Sequence, residues 1–186
     1  MSDIPKETLK QAAGGHVESF EEIYKAYAGY VYNVVYRIVE NLEDAKEVTQ
    51  DVFLTIYKQL ENFRFNSSFK TWIYRISVNA SINYVKKRNK ERNRTVELNE
   101  EIHMVNQTNQ VENKIDKQFN EKIIDTFLNK LNEDQRACIV LRSMEGFSYQ
   151  EIADTLNINI NTVRTRIKRA RETILAIRNE VVRNEM

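Results

Sequence analysis

The chain has 186 residues, enough for one domain or two small ones, and its 28 basic and 27 acidic side chains leave a net charge of only +1. Four glycines and one proline argue for an all-helical protein without a glycine-rich phosphate loop. One cysteine and two histidines exclude an intramolecular disulfide and any zinc-ligand spacing. Cys138 stands in an apolar run between Ala137 and Ile139 and reads as a buried structural thiol in a reducing compartment. No signal peptide and no stretch of ~20 apolar residues is apparent, so a cytoplasmic protein without membrane insertion is expected.

A short leading helix is predicted over residues 4–13, ended by Gly14-Gly15. A long helix follows from about residue 17 to 39, with Phe20, Ile23, Tyr24, Tyr27, Val31, Val34, Val35 and Ile38 near i, i+3, i+4, i+7. Asn41 begins the next, through roughly residue 60, with Ala45, Val48, Val52, Phe53, Ile56 and Leu60 inward. Its outward face presents Glu43, Asp44, Glu47, Gln50 and Asp51. Residues 63–68 break the pattern, and a third helix is predicted over about 69–87.

Residues 63–88 mix aromatic and cationic side chains densely. Aromatic faces stack on unpaired bases while cations track a phosphate backbone, and asparagine offers a donor and an acceptor to base edges. Trp72, Ile76 and Ala80, four apart, are also consistent with a helix core, and Phe69, like Phe53, reads as packing rather than stacking. Charge is segregated further on: residues 84–94 carry six cations against Glu91, and residues 97–121 carry six acids against two lysines. Periodicity fades over about 89–110 into Asn, Glu, Gln and Thr, the composition of a flexible linker. The expected organisation is a first unit over 1–88, a linker over 89–111 and a second unit over 112–186.

In the second unit Phe119, Ile123, Ile124, Phe127, Leu128 and Leu131 mark a helix, Asn132 with Gln135 caps the next, and Gly146 ends it. Then SYQEIADTLNINI and NTVRTRIKRAR read as two helices about a tight turn. Ser148 and Glu151 form an S-x-x-E capping box, and Asn159 caps the second helix. Val163, Ile167, Ala170, Ile174 and Ile177 make its apolar stripe. Arg164, Arg166, Lys168, Arg169 and Arg171 accompany it, with no acid between Thr155 and Arg171. A helix-turn-helix places such a helix in the major groove; a solvated basic face or a partner-binding helix has the same local pattern.

In order and spacing, ESFEEIYKAYAGYVYNVVYRIV, DAKEVTQDVFLTIY, FKTWIYRISVNASINYVKK and the segment LNEDQRACIVLRSMEGFSYQEIADTLNINI with NTVRTRIKRAR resemble the extracytoplasmic-function (ECF, group IV) sigma factors of the sigma-70 family. The resemblance spans about residues 17–178. It implies an all-α, two-domain transcription initiation factor: a sigma2-like bundle that binds core RNA polymerase and reads the −10 element, and a sigma4-like helix-turn-helix domain that reads the −35 element.

By that resemblance Asp44, Glu47, Gln50, Asp51 and Leu54 fall on the polymerase-binding helix. Phe69, Trp72, Tyr74, Arg75, Asn79, Asn83, Lys86 and Lys87 fall on the −10 element reader, with Asn79 beside a captured base. Asn161, Thr162, Arg164, Thr165, Lys168 and Arg169 fall on the −35 reader, and Arg166 and Arg171, nearer the apolar stripe, on phosphates. It implies no catalytic residue, no metal and no cofactor, and as partners core polymerase, promoter DNA and an anti-sigma factor.

The chain departs from the family at Gly15-His16, at Val39-Glu40-Asn41 where Leu-Gly-Asn is usual, at Lys46 where an acid is common, and at Asn159-Ile160-Asn161 where Pro-x-Gly is frequent. Two other classes stay open: a dimeric helix-turn-helix regulator on a palindromic site, and an adaptor whose basic helix meets an acidic protein and shows no salt-dependent DNA binding.

Overall fold

A computed structural model describes residues 4–96 and 123–184, and every regular element among them is helical. The elements are α1 (Lys6–Ala13), α2 (Val17–Val39), α3 (Leu42–Gln59), a 3₁₀ turn (Leu60–Asn62) and α4 (Phe69–Val96). After the undescribed stretch come α5 (123–128), α6 (Glu133–Ile139), a π-helical turn (Val140–Met144), α7 (Tyr149–Leu156) and α8 (Ile160–Asn184).

The helix starts follow the capping chemistry. Asn41 Oδ1 accepts from the Glu43 and Asp44 amides at 2.9 and 3.0 Å, satisfying donors that a helix N-terminus cannot pair internally. Asn132 caps α6 through the Gln135 amide at 2.9 Å. Ser148 Oγ accepts from the Glu151 amide at 3.1 Å while Glu151 Oε2 accepts from the Ser148 amide at 2.7 Å, closing the reciprocal box. Ser148→Ala is expected to cost about 1 kcal/mol, read as a lower denaturant midpoint at constant slope.

Stops are set by left-handed residues. Gly146, at φ 76°, takes the conformation that glycine tolerates best. Asn157 does the same at φ 52° after α7. Glu40 ends α2 at φ 63°, ψ 22°, without that freedom.

The described part of the first unit is a three-helix bundle of α2, α3 and α4 with α1 across α2. Ile23, Tyr27, Val31, Val35 and Val39 of α2 meet Val48, Val52 and Ile56 of α3 and Ile73 of α4. Tyr24, read from its spacing as inward, is instead 47 % exposed beside Phe53.

Two features were not anticipated. α4 continues to Val96, into the stretch read as linker; the rest of that linker and the expected start near Glu112 lie outside the described residues. Moreover, the two units are packed together. Val34 and Ile38 of α2 and Tyr74, Val78 and Ile82 of α4 belong to one core with Leu128, Leu131, Leu141, Phe147, Ile152, Val163 and Ile167 of the second unit. Helices α2 and α4 therefore bury two faces each, one in either core. The same core encloses Cys138, whose burial pushes its thiol up to about 11.

Candidate nucleic-acid interface

Helix α8 is built first by its own entry. Asn159 Oδ1 accepts from the Asn161 amide at 2.8 Å, so asparagine substitutes for the proline-containing start common in the family. Val163, Ile167 and Ala170 are buried against α6 and α7. Because side chains three and four apart share a face, this anchoring turns Asn161, Arg164, Thr165, Lys168 and Arg169 outward, and all five are exposed. Thr162 is half-buried, and Arg171 is exposed.

Local contacts arrange this face. Arg164 Nη1 donates to Asn161 Oδ1 at 2.8 Å, and Thr165 Oγ1 donates to the Asn161 carbonyl at 2.9 Å. Lys168 lies 3.8 Å from Glu172, an exposed pair that holds it only weakly. Arg166 differs. Its Nη2 donates to Asp134 Oδ2 at 3.0 Å, and it lies half-buried beside the stripe rather than on the open face.

On α4 the expected −10 element readers divide between two sides. Trp72, Arg75, Asn79, Asn83 and Lys86 recur at intervals of three and four, with Arg75, Asn83, Lys86 and Lys87 exposed and Trp72 and Asn79 half-buried. Trp72 leans on Phe63 and Phe69, with ring centroids 5.1 and 5.7 Å apart, so one face is fixed by packing. Phe69 itself is 8 % exposed and is a packing residue in this arrangement, because its ring also meets Tyr27 edge-on.

Tyr74 is 1 % exposed and points the other way, into the core between the units. Its hydroxyl donates to Glu145 Oε2 at 2.5 Å and its ring meets Phe147 edge-on. Burial, with the Glu145 carboxylate beside it, holds that hydroxyl protonated. Lys86 is exposed but lies 3.3 Å from Asp134, and Lys87 is 4.0 Å from Glu91.

The third candidate face is the outside of α3. Glu47, Gln50, Asp51 and Leu54 are exposed, Leu54 at 57 %. Asp44 does not join them: its Oδ2 accepts from Arg88 Nη1 at 2.8 Å, tying α3 to α4. Two rings that the sequence reading did not assign to a surface sit near this face: Tyr24 of α2, read as inward, against Phe53, and Tyr57 of α3 against Phe20. Helical spacing alone could not reveal them, because each ring packs one face on an apolar neighbour and leaves the other to solvent.

A basic helix, an aromatic and amide-rich helix, and an acidic helix face thus sit on one helical frame. Comparison with known proteins gives the same sequence of parts. Residues 23–91 match the family model for sigma-70 region 2, and residues 121–174 match that for sigma-70 region 4.

The ECF RNA polymerase sigma-E factor of Haemophilus influenzae is 32 % identical over 172 residues, covering 89 % of this chain and 90 % of that protein. The ECF RNA polymerase sigma factor SigW of Bacillus subtilis is 29 % identical over 185 residues, covering 94 % and 96 %. Among solved structures, CnrH in complex with the cytosolic domain of CnrY aligns with a TM-score of 0.66 at 22 % identity over 96 % of this chain and 99 % of that one. The sigma factor RpoE in complex with the anti-sigma factor NepR from Bartonella quintana gives 0.65 at 22 % over 87 % and 98 %. These two share the fold. With both regions matched in order along the chain, and with relatives covered almost end to end, this protein belongs to the ECF RNA polymerase sigma factors.

Proposed function

We propose that the exposed face of α8 reads the −35 element and the Trp72–Lys86 strip of α4 reads the −10 element, while the chain rides on core RNA polymerase. The observation that carries this is the division of labour on α8. Val163, Ile167 and Ala170 of its apolar stripe are buried against α6 and α7, leaving Asn161, Arg164, Thr165, Lys168 and Arg169 as an outward polar face. Arginine can bind guanine bidentately, whereas lysine serves as a point charge for phosphate.

On α4, Arg75, Lys86 and Lys87 supply backbone contacts, and Trp72 with Asn79 lies where an unstacked base would be held. Glu47, Gln50, Asp51 and Leu54, with Tyr24 and Tyr57 near them, form the polymerase-facing surface. The chain supplies binding energy and no chemistry of its own, so it is not an enzyme; bond formation belongs to the polymerase. It acts in the cytoplasm. An anti-sigma factor restrains it, a reading supported by the complex of the sigma factor RpoE with the anti-sigma factor NepR.

Run-off transcription with purified bacterial core polymerase on a pooled genomic promoter library tests the reading. Discrete transcripts are expected only when the chain is added. Retained duplex binding without any transcript would make it a conventional regulator instead.

A further inference from the structure

We infer that the two units latch directly onto each other through Arg136, Glu40, Tyr74 and Glu145, and that this self-closed chain cannot engage both promoter elements until the latch opens. The inference rests on the promoter reading above and adds a restraint built into the chain itself.

Arg136 is 5 % exposed and reaches beneath the C-terminal end of α2. Its Nε and Nη2 donate to the Leu128 and Leu131 carbonyls of its own unit at 3.0 and 2.8 Å. Its Nη1 crosses to the first unit, donating to the Ile38 carbonyl at 2.7 Å and meeting Glu40 Oε2 at 2.5 Å. Glu40 holds its left-handed conformation where glycine would be unstrained. A non-glycine residue persists there only when its surroundings hold it: its amide donates to the Tyr36 carbonyl of α2 at 2.8 Å, and its side chain is held by Arg136 of the other unit.

A second point closes the far side. The π turn ends at Glu145, whose amide donates to the Val140 carbonyl at 3.2 Å; this wide turn delivers Glu145 and Phe147 onto Tyr74. Between the two points lies the shared apolar core, and Tyr36 adds a hydroxyl donated to Asp125 at 3.3 Å.

The consequence for DNA is geometric. Asp134 holds Lys86 of the −10 strip at 3.3 Å and Arg166 of α8 at 3.0 Å on one carboxylate. The two promoter elements, named for positions about 25 base pairs apart, are separated by roughly 85 Å of duplex at ~3.4 Å per base pair. Helices joined through one carboxylate cannot lie on both. Closure also covers Tyr74 and flanks the reading strip with second-unit residues.

The test uses the full chain and the double variant Glu40→Ala/Glu145→Ala. Alanine at position 40 deletes the contact with Arg136 while keeping the left-handed backbone strain of the closed form, and alanine at 145 frees Tyr74 without emptying the core. Small-angle scattering over a dilution series reports closure; run-off transcription at limiting chain concentration reports its effect. The wild type should be compact and monomeric and the variant expanded. The variant should need about 3- to 10-fold less chain for half-maximal transcription, because apparent affinity scales with the competent fraction.

A wild type already expanded, a variant as compact as the wild type, or a compact form with the mass of a dimer would each overturn the intramolecular latch. Expansion without any gain in transcription would overturn its restraining role while leaving the promoter reading intact. Absence of transcription from both proteins would overturn the promoter reading and the restraint together, with scattering still deciding closure.

Discussion

Replacing Arg136 with alanine is expected to destabilise the chain by about 3–5 kcal/mol, the cost typical of removing one partner of a buried ion pair. The guanidinium is enclosed by three carbonyls and the Glu40 carboxylate, and nothing in alanine can serve any of them. Glu40 is already poorly solvated: its Oε1 is buried without a hydrogen-bond partner among the described residues. Burial pushes its carboxyl up to about 7, more than Arg136 and then Arg88 pull it down, with Asp125 raising it further.

Denaturant midpoints measured on R136A and on R136A/E40G separate the two contributions. The double variant should regain part of the loss, since removing the orphaned carboxylate is favourable once its partner has gone. Equal stability of the single and double variants would show that the carboxylate is not penalised.

The sign of the accompanying pH effect follows from the raised carboxyl. The closed form binds the Glu40 proton more tightly than the open form, whose carboxyl returns toward its ordinary value of 4.5. Closure is therefore strengthened below that ordinary value and weakens as pH rises from there through about 7, where the closed form loses the proton. Scattering across this window checks it: a wild type that becomes more compact as pH rises would contradict the assignment to Glu40.

Local structure was legible in the sequence because it is written in nearby residues. The capping asparagines at 41, 132 and 159, the Ser148–Glu151 box and the stripe from Val163 each act within a turn or two of chain. The open face of α8 follows from that stripe. Long-range facts were not legible. Tyr74 and Phe69 stand among the expected −10 element readers by sequence order, yet their burial is set by residues far away in the chain.

Similarly, Asp44 reads as one more acid on an outward face, and only the course of α4 brings Arg88 to it. One signal was present but unread. Val34-Val35 and Ile38-Val39 are apolar neighbours, which point about 100° apart on a helix and so require two buried sides. Likewise Glu40, where the family usually has glycine, marked a backbone position in need of an outside partner.

The cations of α8 are expected to separate into three kinds when replaced singly by alanine. Arg164 and Arg169, exposed on the outer face, should each cost about 1–3 kcal/mol in binding a −35 duplex if they read guanine bidentately, and should relax preference at one base position. Arg164 must first leave the Asn161 side chain it now holds at 2.8 Å, so part of its contact energy is spent on that exchange. Lys168 should weaken all sequences about equally and lower the salt dependence by roughly one counterion, the behaviour of a phosphate contact.

Arg166 should barely change duplex affinity, because Asp134 restrains it beside the apolar stripe. Its loss should instead loosen the junction where Asp134 also holds Lys86. Fluorescence anisotropy against a duplex recovered from the run-off selection, at two salt concentrations, distinguishes the four variants. Equal losses at all four positions with equal salt slopes would mean that α8 meets DNA only as a patch of charge. In that case the reading of sequence would have to lie elsewhere in the chain.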